Sequence, residues 1–106
     1  MDNFKIIYKI LKILEQAMDY DNFDIEQISA EALKISGNRW SVLMEILADE
    51  GYIKGILVSY NIVGERTVSV SNIRITLKGL EYLSENTFMK KAANIAKGIK
   101  DIPFVP

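Results

Sequence analysis

A helical pattern running to Met18, two shorter capped helical stretches ending at Gly51, and two β-branched runs flanking a loop at Gly64 together predict an α+β fold. The order is that of a winged helix-turn-helix with a two-stranded β-hairpin wing and an extra C-terminal helix. One domain is expected over residues 1–106, with the helix-turn-helix at about 25–51, the wing at about 52–75 and C-terminal helices at about 77–101.

The first helix follows from two adjacent apolar rows between Phe4 and Met18. They are Ile6, Ile10, Ile13 and Ala17, beside Ile7, Leu11, Leu14 and Met18. A face that wide exceeds what one neighbour covers, which predicts a second packing partner. Tyr20-Asp21-Asn22 reads as a turn. Asp24 is an N-cap with Gln27 as its capping-box partner, and Phe23 is spaced to staple against Ile28, so a second helix begins near Ile25 and ends about Leu33. Ser29 offers a second cap that would split it into two short turns.

Ser36 caps the third helix, in which Trp40, Leu43, Met44 and Leu47 form one buried stripe. The spacing puts Trp40 in the core between the first helix and the hairpin. Gly51 ends the helix, because a left-handed C-terminal residue favours glycine. Ile53, Ile56 and Val58 mark a strand over Tyr52 to Tyr60, and a second runs from Val68 to Ile75. Apolar parity changes between Val68/Val70 and Ile73/Ile75, which predicts a bulge near Ser71-Asn72. Thr76 caps a further helix with Ile75 and Leu80 as its staple. After Ser84 to Thr87 a last helix carries Phe88, Ala92, Ile95 and Ile99, beside Met89, Ala93 and Ala96, and Pro103 and Pro106 close the chain. Its small residues suit close packing on the first helix, within the chain or across a dimer.

Composition narrows the chemistry. The chain has no Cys and no His, which removes disulfides, thiolate nucleophiles, imidazole bases and the commonest zinc ligands together. No catalytic residues, metal or cofactor are expected. Apolar stretches are broken by Lys within a few residues, and Lys5, Lys9 and Lys12 interrupt the N-terminus, so neither a membrane span nor a secretory signal is expected. A bacterial or phage cytoplasm is the expected location. Net charge is −1, but by segment it runs 0 over 1–20, −3 over 21–36, −2 over 37–51, and +2 in each of 52–75 and 76–106.

The segments Ile28 to Leu33, Trp40, Asp49 to Gly55, Ile73 to Leu83 and Met89 to Ala93 together resemble the YjcQ family, small winged-helix proteins of Gram-positive bacteria and their phages. The resemblance covers nearly the whole chain and implies a fold more firmly than an activity. It also implies Gly at the turn position that Lys34 holds here.

Asp19, Asp21, Asp24 and Glu26 form the densest polar group, but a calcium loop counted from Asp19 needs Gly and Glu where Asp24 and Ala30 stand. They read as a solvated turn with a capping Asp. Double-stranded DNA is the first candidate partner, with the N-terminal half of the third helix in the major groove. Asn38, Arg39, Ser41 and Val42 are its exposed residues, Asn38 and Arg39 being able to read adenine and guanine edges. Arg66 at the wing would meet a flanking minor groove; nothing else in the Asn61 to Thr67 loop reads as specialised. Glu45, Asp49 and Glu50 oppose DNA by repelling phosphate. The alternative is a protein-interaction or structural winged helix, phage or prophage encoded, that binds no DNA. A homodimer through Ile6, Ile10, Ile13, Ile95 and Ile99 is expected from the double apolar stripes.

Overall fold

The computed structural model describes residues 2–86. Four helices, α1 (Asn3–Gln16), α2 (Ala30–Leu33), α3 (Gly37–Asp49) and α4 (Leu77–Glu85), accompany a hairpin of β1 (Ile53–Tyr60) and β2 (Arg66–Ile75). This α+β order is compatible with a winged helix, the hairpin being the wing and α4 following it. The last expected helix, with Ile95 and Ile99, lies outside the described residues.

Asp2 caps α1 by accepting the Phe4 N–H at 2.9 Å. Ile6, Ile10, Leu11 and Leu14 are buried along it, and the helix runs into a 3₁₀ turn at Ala17–Asp19. The middle of both apolar rows therefore faces this chain's own core, while Met18 at the end of the second is 62% exposed. That corrects the α1 part of the expected dimer interface: Ile6 and Ile10 are enclosed by their own chain and Ile13 is half-buried, while Ile95 and Ile99 lie outside the described residues.

The second helix is split at Ser29, as its cap allowed. Asp24 caps a 3₁₀ turn over Ile25–Ile28 through the Glu26 N–H at 3.0 Å. Extended Ser29 then caps α2 through the Ala32 N–H at 3.1 Å. Ile28 is buried and Phe23 packs beside the core, consistent with the staple. Lys34 ends α2 in the left-handed conformation, φ 59° and ψ 44°. Its successor Ile35 donates back to the Ala30 carbonyl at 3.0 Å. The turn thus keeps the geometry that glycine favours while carrying a side chain.

Ser36 caps α3 through the Arg39 N–H at 3.0 Å, and Leu43, Met44 and Leu47 face the core. Trp40 departs from the expectation. It is half-buried, and its indole N–H donates to the Ile28 carbonyl at 2.7 Å. Trp40 sits in the first turns of α3, where its indole nitrogen reaches the 3₁₀ turn and its ring packs against the edge of the core. Gly51 closes α3 at φ 81°, with the Tyr52 N–H donating to the Leu47 carbonyl at 2.9 Å.

The strands pair antiparallel, Lys54 opposite Arg74 and then Ile56 opposite Val70. Gly55 alone therefore faces Ser71, Asn72 and Ile73, a bulge where parity predicted one. Gly55 has φ 94° and Asn72 φ 56°. A Cβ on Gly55 would lie 2.3 Å from the Asn72 carbonyl oxygen, so two backbones touch there. Because the bulge turns the pleat over, Ile53 and Ile75 reach the core below it, while Ile56 and Val68 pack from above.

Thr76 fastens α4. Its hydroxyl donates to the Gly51 carbonyl at 2.5 Å and accepts the Gly79 N–H at 3.1 Å, while its own N–H donates to the Tyr52 carbonyl at 3.1 Å. Buried Gly79 brings α4 so close that a Cβ would stand 2.5 Å from the Tyr52 oxygen.

Gly55→Ala combines a left-handed backbone with a clash against backbone and should cost about 2 to 5 kcal/mol, whereas Gly64→Ala, with open space around it, should cost about 1 to 2 kcal/mol. Urea midpoints at unchanged m-value measure the difference, and equal losses would refute the close-approach account. In the same assay Lys34→Gly should gain about 0.5 to 1 kcal/mol, the relief of left-handed strain less glycine's extra chain entropy.

Candidate interaction face on α3 and the hairpin

The outer side of α3 is where the sequence placed its candidates. Asn38 and Arg39 are exposed, Ser41 and Val42 half-buried. Asn38, Arg39 and Val42 line a shallow groove with Asn3, Leu43 and Ile46, about 320 Å³ between the start of α1 and α3. Arg39 is held in place there: its guanidinium donates to the Asn3 side-chain oxygen at 2.6 Å. That partner is neutral, so the charge of Arg39 remains uncompensated among the described residues. The groove's floor is aliphatic, and Ile46 is 43% exposed in it.

Arg66 is not with them. Instead of tipping the wing it closes the base of the loop opposite Tyr60 and turns back toward α3. Its Nε donates to Glu45 at 2.9 Å, the guanidinium lies 5.7 Å from the Tyr60 ring centre, and the Tyr60 hydroxyl donates to the same carboxylate. The pKa of Arg66 is raised, first by the Tyr60 hydroxyl and then by Glu45, so it stays charged while its charge is matched. The cluster locks the hairpin onto α3. Sequence reasoning missed it because Glu45 was read only as a repellent of phosphate.

The loop between the strands is also specialised. Asn61 organises it: its side-chain oxygen accepts the Val63 and Glu65 N–H groups at 3.0 and 2.8 Å, and its amide nitrogen donates to the Glu65 carboxylate at 2.7 Å. Its backbone N–H donates to the Glu65 carbonyl, and its carbonyl accepts from Gly64, both at 3.0 Å. This polar frame holds out an apolar tip, Ile62 wholly exposed and Val63 77% exposed. Hairpin loops are ordinarily polar, so Ile62-Val63 was the available signal.

A second surface cleft, about 650 Å³ between the end of α1 and the first 3₁₀ turns, includes Asp19, Tyr20, Phe23 and Asp24. Asp24 is engaged there as a cap. Among the described residues no group of three His, Cys, Asp or Glu side chains is placed to hold a metal ion. No helix among them is long and apolar enough to cross a membrane.

Comparison with known proteins adds one decisive observation: the family model described as YjcQ protein matches residues 8–102. The chain belongs to the YjcQ family. No curated protein and no solved structure matches it. For this YjcQ family member the match runs through α3 and the hairpin, which carry most of the face described above, while Asn3 lies before it.

If the Glu45 cluster is what seats the hairpin, Glu45→Gln or Arg66→Ala should speed hydrogen exchange at amides from Ser59 to Thr67 while leaving α1 protection unchanged. Unchanged protection at those amides would remove the cluster from that role.

Proposed function

We propose that this domain is a non-catalytic protein-interaction module that works through the outer side of α3 and the hairpin. The observation carrying this reading is that Arg66 is neutralised by Glu45, while Ile46, Tyr60, Ile62 and Val63 expose apolar surface on the same two elements. DNA affinity rests on cations that can replace counterions along the phosphates. Here α3 contributes Arg39 against Glu45, Asp49 and Glu50. An apolar centre with a polar rim suits a protein partner better.

Asn38 and Arg39 favour a second reading. They are exposed at the N-terminal half of α3, where a recognition helix places its base contacts. On that reading Arg39→Ala lowers affinity by about 1 to 3 kcal/mol at one base position.

A low-salt gel shift on mixed duplex DNA separates the two. No retardation is expected, and retardation abolished by Arg39→Ala would replace the protein-binding reading with DNA recognition. In parallel, nuclease-treated host lysate should yield a protein bound to the wild type and lost with Ile46→Asp, in a variant whose melting curve is unchanged. Binding indifferent to Ile46→Asp would place the partner elsewhere.

A further inference from the structure

We infer that the hairpin tip of one copy docks in the α1–α3 groove of a second copy, and that the second copy returns the contact. The inference rests on the protein-binding reading above and names the chain itself as occupant. It uses the two features of that face that complement each other: a protruding aliphatic pair, Ile62 and Val63, and a concave aliphatic floor, Val42, Leu43 and Ile46.

Charge complements shape. Glu65 stands beside the tip, where its partner is the neutral Asn61 amide. Arg39 stands at the groove's rim, where its partner is the neutral Asn3 amide. Among the described residues each charge is therefore held in position without being cancelled, and the two are opposite in sign. Tip and groove lie on one chain, so a two-fold axis midway between them makes both insertions at once and closes the assembly.

Energetics favour the same match. The Asn61 hydrogen bonds fix the turn before binding, which lowers the entropic cost of ordering it. The groove is open to solvent and floored by Val42, Leu43 and Ile46, so inserting the Ile62 and Val63 side chains takes apolar surface out of water on both sides of the contact. A nucleic acid is a poorer occupant for the tip: an apolar wedge in a minor groove needs cations beside it, whereas Glu65 is anionic and Arg66 is engaged by Glu45.

Sedimentation of the full chain over a range of concentrations tests the inference. Wild type should show a reversible monomer–dimer equilibrium. Ile62→Asp and Ile46→Asp should each weaken it at least about tenfold, with circular dichroism melts confirming that both fold. The decisive measurement mixes the two variants. The intact tip of one then meets the intact groove of the other, so the mixture should associate more strongly than either alone. Glu65→Arg and Arg39→Glu should each weaken the dimer, and the double variant should restore it. A monomer at every concentration, a dimer indifferent to both aspartates, or no gain on mixing would each overturn the inference. If the wild type is monomeric yet a lysate protein still binds in an Ile46-dependent way, the broader reading survives and only the second copy fails as occupant. If DNA is retarded instead, the broader reading fails.

Discussion

The hydroxyl of Thr76 joins three parts of the chain that sequence keeps far apart. By donating to the Gly51 carbonyl and accepting the Gly79 N–H, it ties the end of α3 to the start of α4 just where β2 finishes. The neighbouring bond from the Thr76 N–H to the Tyr52 carbonyl brings in the start of β1. A hydroxyl can do this because it is donor and acceptor together. With that junction closed, Ile53 and Ile75 stand opposite each other on the core side and the hairpin leaves the body at a fixed angle. Gly79 is required by the same closeness.

Local chemistry made most of the elements legible. Asp24, Ser29, Ser36 and Thr76 each bind an N–H two or three residues ahead, and such bonds can be read from spacing alone. The bulge was legible because apolar parity failed at one place in β2. Trp40 was misplaced for the opposite reason: its register with Leu43 and Leu47 was right, but the carbonyl it binds belongs to Ile28 on another element. Arg66 was misread likewise, since its partner is 21 residues away. Ile6 and Ile10 were assigned to a dimer because a wide apolar face cannot reveal whether its own chain covers it. Here α4, β2 and the Ile25–Ile28 turn supply the missing partners in one core cluster.

The face on α3 shows how one geometry can serve different chemistry. An exposed helix beside a protruding hairpin suits recognition of any large surface, and the side chains set the class of partner. Exposed Ile46, Ile62 and Val63, together with the pairing of Arg66 by Glu45, are what favour hydrocarbon over phosphate in the proposed reading. Arg39, whose partner among the described residues is the neutral Asn3 amide, stands at the rim, where on the proposed reading it would contribute direction more than adhesion.

The bulge bears on a hazard that the hairpin would otherwise present. Within the described residues the sheet has only two strands, so each has one edge without a strand partner. Long straight edges invite further strands to add and seed aggregates. Gly55 and Asn72, both at positive φ, bend the ladder part-way along and divide each edge into shorter stretches that point differently. A glycine required by close backbone packing thereby also protects against fibrous assembly, and straightening the hairpin would expose that tendency even in a chain that still folded.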